Sequence, residues 1–133
     1  MANGVIWTTD GNEVTLNRTF KASPDYTAPS KLKVGTGDTT PTSSDTDLQT
    51  EVELTSGVYY VDFSTGYPSL DESSLQVTIR SFINSLQANG SSLAEFGIFN
   101  NDATKKMVSR AVHTPITKTT AVEVSYVSKN KLA

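Results

Sequence analysis

The chain has 133 residues, eleven basic and fourteen acidic, with one histidine and no cysteine. A length of that order makes a single domain and buries roughly two-thirds of the surface exposed by the unfolded form, so a core forms without staples. The missing cysteines exclude disulfides and thiolate metal sites, and a net charge of -3 without a basic run argues against nucleic acid as main partner.

The first eleven residues carry neither a positive leader nor an apolar stretch, and no segment approaches the length that crosses a bilayer. The expectation is a soluble product of the host cytoplasm, with no membrane partner and no cofactor. Thr and Ser together supply 35 residues. The branched Cβ of Thr fits a pleated surface better than a helical turn, so composition leans towards strands.

In chain order, Val14, Leu16, Arg18, Phe20 and Ala22 alternate with Thr15, Asn17, Thr19 and Lys21, the two-residue period of a half-buried strand. Pro24 and Pro29 bracket a turn, residues 31–35 form a short strand, and residues 36–44 form a long polar loop. Asp45 is placed to cap one helical turn through Leu48. Residues 51–54 and 58–63 flank Ser56-Gly57 and read as a hairpin, with Tyr59, Val61 and Phe63 on one face.

After a loop over 66–74, Leu75, Val77, Ile79, Ser81 and Ile83 alternate in the clearest strand signal of the chain. Strands over 93–99, 107–114 and 121–128 follow, the last with Val122, Val124 and Tyr126 inward. About eight short strands imply an all-β antiparallel sandwich, jelly-roll or immunoglobulin-like, in preference to a closed barrel. Residues 1–13 read as an N-terminal arm, 14–128 as the one sandwich domain and 129–133 as a C-terminal tail.

One local register follows from a four-residue loop over 101–104. It sets Asn100 opposite Lys105, Gly97 opposite Val108, Glu95 opposite Arg110 and Leu93 opposite Val112. Glu95 and Arg110 then meet within an apolar row, either as a partly buried ion pair that holds register or as a solvent-facing pair contributing about 0 to 1 kcal/mol.

Catalytic and metal motifs are sparse. His113 is the sole imidazole, stands before Pro115 and lacks a Gly-x-Ser-x-Gly partner, so it reads as a strand-edge residue and the chain as no enzyme. Gly35-Thr36-Gly37 lacks the rest of a phosphate loop and reads as a turn, and Asp38, Asp45 and Asp47 lack the spacing of a calcium loop. Trp7, Tyr26, Tyr59, Tyr60 and Tyr67 raise a second possibility, a carbohydrate-binding or host-recognition surface that stacks on a glycan.

Three phrases resemble those of small structural proteins of tailed-phage virions. The first runs from Lys31-Leu-Lys-Val through Gly35-Thr36-Gly37 and a Thr/Pro stretch around Pro41 to Asp45-Thr-Asp-Leu48 and Glu51-Val52. The second is Leu93-Ala-Glu-Phe-Gly-Ile-Phe-Asn100, and the third is Arg110-Ala-Val with Pro115-Ile-Thr-Lys118. The resemblance spans residues 16–126 and departs from the usual pattern at Ile98 and at His113-Thr114. It implies a β-sandwich subunit of tail, collar, baseplate or head surface, located in the virion and partnered by copies of itself and other virion proteins, with no catalytic residues. The expected contact segments are residues 1–9, with Val5, Ile6 and Trp7, residues 36–47 and residues 129–133.

Overall fold

The computed structural model describes residues 5–131. Its elements are β1 (Ile6–Trp7), α1 (Thr9–Phe20), β2 (Lys31–Gly35), β3 (Tyr60–Asp62), β4 (Ser69–Asp71), β5 (Gln76–Ile83), β6 (Ser92–Phe99), β7 (Met107–Thr117) and β8 (Val124–Lys131). A five-stranded sheet in the order β1-β7-β6-β2-β3 faces a three-stranded sheet in the order β4-β5-β8, and every pairing is antiparallel. The chain is therefore an all-β sandwich carrying one short helix among the described residues.

The core lies between the sheets. Leu32, Val34, Phe96 and Ile98 from the larger sheet meet Ile79, Ile83, Val124 and Tyr126 from the smaller, as alternation along each strand requires. Strand β6 departs from alternation, because Leu93 to Phe99 are all buried. It is the middle strand of five, and its outer face is covered too.

The strand expected over 14–22 is instead the C-terminal part of α1. Thr8 decides this. Its Oγ1 accepts from the Gly11 amide at 2.9 Å and donates to the Met107 carbonyl, while its own amide donates to Val108 O at 3.0 Å. Asp10 in the first turn and Arg18 in the last suit the helix dipole.

Helical spacing then sends Val14 and Gly11 inward and leaves Leu16 and Phe20 exposed, which undoes the apparent two-residue alternation. Gly11 is required by packing, because a Cβ there would stand 2.2 Å from Val108 O. The helix thus lies directly on the backbone of β7.

Other boundaries also move. Among the described residues, regular structure begins at Ile6 rather than Val14 and β8 continues to Lys131, so residues 6–7 and 129–131 of the expected arm and tail lie in the sheets and residues 9–13 in α1. The loop over 66–74 contains β4. The hairpin around Gly57 contracts to one bridge between Thr55 and Val58, since β3 pairs with β2 instead. No helical turn follows Asp45; Asp45 N donates to Thr42 O at 3.1 Å in a simple turn.

Two irregularities reset the β6/β7 register. Phe99 pairs with Met107 but Ile98 pairs with Ser109, so Val108 is an extra residue. Farther along, Glu95 pairs with Val112 and Leu93 with Ile116, which leaves His113, Thr114 and Pro115 opposite Ala94. Pro115 sits where the ladder is already interrupted, and its missing N–H costs no regular bond there.

Candidate functional site: a polar clamp and an open seam

The expected register of Glu95 opposite Arg110 is corrected by two residues: Phe99 already pairs with Met107 rather than Lys106 at the loop end, and the bulge at Val108 adds the second. Arg110 stands opposite Gly97 and Glu95 opposite Val112, which makes the two charged residues diagonal neighbours on the outer face of the sheet. Their side chains still meet: Arg110 Nη2 donates to Glu95 Oε2 at 2.8 Å. The side chains are 2% and 0% exposed, which removes the solvent-facing alternative.

The loop over 36–50 closes this pair from above. Arg110 Nη1 donates to Asp45 Oδ2 at 2.9 Å and Nη2 to Thr39 Oγ1 at 3.1 Å, while the Thr50 amide donates to Glu95 Oε1 at 3.1 Å. Arg110 Nε, also buried, has no partner among the described residues. Burial works against the guanidinium charge, yet hydrogen bonds donated to Glu95 and Asp45 outweigh it and hold the Arg110 pKa above its ordinary value. Asp45 responds inversely: partial burial opposes its charge, but bonds from the Thr42 backbone and from Arg110 leave its pKa below the usual carboxylate value.

Two glycines create the space. A Cβ on Gly35 would lie 2.6 Å from Glu95 Oε1 and 2.3 Å from Thr50 O, and one on Gly37 would lie 2.3 Å from Glu95 Oε2. Gly35-Thr36-Gly37 is thus a cradle for a buried carboxylate rather than a turn. Gln49 completes the loop by accepting from the amides of Asp38 and Thr39 at 2.9 and 3.0 Å.

A second tie lies beside the first. Lys33, 1% exposed, places Nζ 2.6 Å from Asp47 Oδ1 and 2.7 Å from Glu51 Oε2, and over the rings of Phe99 and Tyr60 at 4.9 and 5.1 Å. Burial alone would lower its pKa, but Asp47 and Glu51 reverse the effect and raise it. Asp45 and Asp47, weighed above as calcium ligands, are thereby committed to basic side chains. Among the described residues no group of three acidic, His or Cys side chains is placed to hold a metal.

The opposite flank of the sandwich is built differently. Strand β1 covers only Ser109 and Arg110 of the eleven-residue β7, and the outer edge of β8 pairs with nothing among the described residues. Between the two sheets opens a cleft of about 450 Å³, walled by Trp7, Phe63, Leu70, Val77, Ile98 and Val108. Asn130, 5% exposed, lines it; its Nδ2 donates to Ser128 Oγ at 3.0 Å, and its Oδ1 has no partner among the described residues.

Farther along the seam, His113 Nδ1 is 2.9 Å from Thr114 O, which only accepts, so Nδ1 carries a proton. In the neutral ring Nε2 then accepts from Tyr126 O–H at 2.9 Å. Burial raises the Tyr126 pKa, so this phenol keeps its proton.

The three residues expected to contact a partner are thus divided. Val5 is 5% exposed and belongs to the core, whereas Ile6 and Trp7 are half-buried on β1, with Trp7 on the cleft wall. Residues 1–4 and 132–133 of the other contact segments lie outside the described residues. Three of the tyrosines are engaged with other side chains: Tyr26 donates to Glu13, Tyr59 to Glu53, and Tyr60 packs edge-on against Phe99.

The cleft was not legible in the sequence, since its walls come from seven separated segments. No helix among the described residues is long and apolar enough to cross a membrane. No protein-family profile, curated protein or solved structure matches the chain.

Proposed function

We propose that the chain is a non-enzymatic structural subunit of a tailed-phage virion, assembling into a symmetric oligomer of the tail, collar or baseplate, or decorating the head. One spatial coincidence supports the reading. The three phrases that resemble virion proteins fall on β2 with its loop, on β6 and on β7, which are adjacent strands. They meet at the clamp, where the first phrase supplies Gly35, Gly37 and Asp45, the second Glu95 and the third Arg110.

Such a clamp suits a subunit that must present an irregular loop in the same shape in every copy, because each buried charge finds its partners in one arrangement only. The seam suits contact with neighbours: open strand edges accept further strands, and an apolar cleft accepts a neighbour's apolar side chain. Copies of the chain and other virion proteins are the proposed partners, and the virion the proposed location.

Quantitative mass spectrometry of particles produced from the genome that encodes the chain tests this. The chain is expected in the particles at a fixed stoichiometry, whose value separates tail tip, ring and shell. Its absence from infectious particles would end the reading.

A further inference from the structure

Strand β8 combines two properties that edge strands rarely share. It has eight residues in unbroken register with β5, from Val124 opposite Ile83 to Lys131 opposite Gln76, without proline, glycine or bulge. Its other edge is unpaired among the described residues. Native sheets usually blunt a long edge by shortening, kinking or covering it, and an edge left straight is a template for another strand.

The outward side chains identify the strand that fits. Glu123, Ser125, Val127, Lys129 and Lys131 are all exposed, alternating with the buried Val124, Tyr126, Ser128 and Asn130. An antiparallel copy of the same segment related by a two-fold axis at Val127 sets each residue opposite the one whose number sums with it to twice 127. Val127 then faces Val127, Ser125 faces Lys129, and Glu123 faces Lys131 at both ends. The charges are complementary and the centre is apolar, as favourable cross-strand pairs require.

The surroundings agree. Val127 is 52% exposed, and Phe82, 39% exposed, shares its face beside Ser125 in the β5/β8 register. Arg80 stands directly beside Val127 and donates to Ser125 Oγ, so each copy brings Val127 to the axis flanked by polar groups.

We propose that β8 pairs antiparallel with β8 of a second copy, joining two three-stranded sheets into one of six strands. The inference rests on the reading of the chain as an assembling subunit and names the partner at one of its edges.

The chain lacks cysteine, so a single engineered thiol reports the register. Directly opposed cross-strand residues have Cα atoms about 4.5 to 5.5 Å apart, within disulfide range. Two Ser125 positions would instead be offset by four residues, about 13 Å along the strands. The full-length Val127→Cys protein is expected to form a covalent dimer under mild oxidation, at least several-fold more than Ser125→Cys.

Added to Val127→Cys, either Glu123→Lys or Lys131→Glu is expected to lower that yield several-fold, and both together to restore it. Equal cross-linking at positions 125 and 127, or indifference to the charge reversals, overturns the proposal. Presence in particles without β8 cross-linking leaves the virion reading standing and removes this pairing, while cross-linking without presence in particles does the reverse.

Discussion

The two flanks of this sandwich handle polar groups in opposite ways. On the outer face of β2, β6 and β7, Lys33, Glu95 and Arg110 are almost fully buried and tied to the loop that covers them. On the β7/β8 flank two strand edges, and between the sheets an apolar cleft and the Asn130 carbonyl oxygen, are left without partners among the described residues. The comparison separates what the chain completes by itself from what a neighbour would complete. A buried charge is costly unless paired at once, whereas an open edge can wait in water for its partner.

The largest expected effect comes from breaking the clamp. Arg110→Met leaves the Glu95 carboxylate buried with only the Thr50 amide for company, and loss of one partner from such a pair costs about 3 to 5 kcal/mol. Chemical denaturation should show that loss, and Glu95→Ala should destabilise more than Arg110→Lys, which keeps a cation. A double-mutant cycle on the two positions giving negligible coupling would refute the clamp.

Crowding the cradle ranks next. Gly35→Ala drives a methyl group into Glu95 and the Thr50 carbonyl, and overpacking of this kind costs about 1 to 3 kcal/mol. Gly11→Ala sharpens the test. In an exposed helix that change stabilises by roughly 0.5 to 1 kcal/mol, but here contact with Val108 O predicts destabilisation in urea.

Acid probes the same region. The Asp45 pKa lies below its ordinary value in the folded chain, so its contribution is complete above the unfolded value of about 3.9 and disappears as pH falls through the lowered one. Amide exchange in residues 36–50 should therefore quicken in that acid range before the sandwich core opens. The raised Lys33 value gives the converse: its contribution is full below about 10.4 and is lost as pH rises through the higher folded value.

The seam should respond least in stability. Tyr126→Phe removes the bond to His113 and should cost about 0.5 to 1.5 kcal/mol. Leu70→Ser, at a residue 70% exposed on the cleft wall, should lie within about 0.5 kcal/mol of the parent in a thermal melt while weakening self-association measured by sedimentation. A seam variant that unfolds the isolated chain would contradict the division between the two flanks.

Much of the architecture was readable because period-two alternation reports burial of one side of a strand. Residues 31–35, 76–83 and 92–99 carry that signal or flanking turn residues, and the strands fall there within a residue or two. Thr8 and Gly11 were silent, since an N-cap is recognisable only once a helix is suspected, and Leu16 and Phe20 imitated a strand by being exposed at helical spacing. The Glu95 and Arg110 contact was suggested by charge and proximity, but its register turned on a connection one residue longer than counted and on a bulge at Val108, neither of which a local pattern announces.

Composition and alternation by themselves determined that this chain forms two packed antiparallel sheets, because those properties act between residues one or two apart. Tertiary structure alone decided that Gly35 and Gly37 make room for Glu95, that the loop over 36–50 closes on Arg110, and that β8 keeps an edge unpaired among the described residues. Each of these joins segments tens of residues apart, and the energy of burying a charge or leaving an edge unpaired exists only once the folded surroundings do.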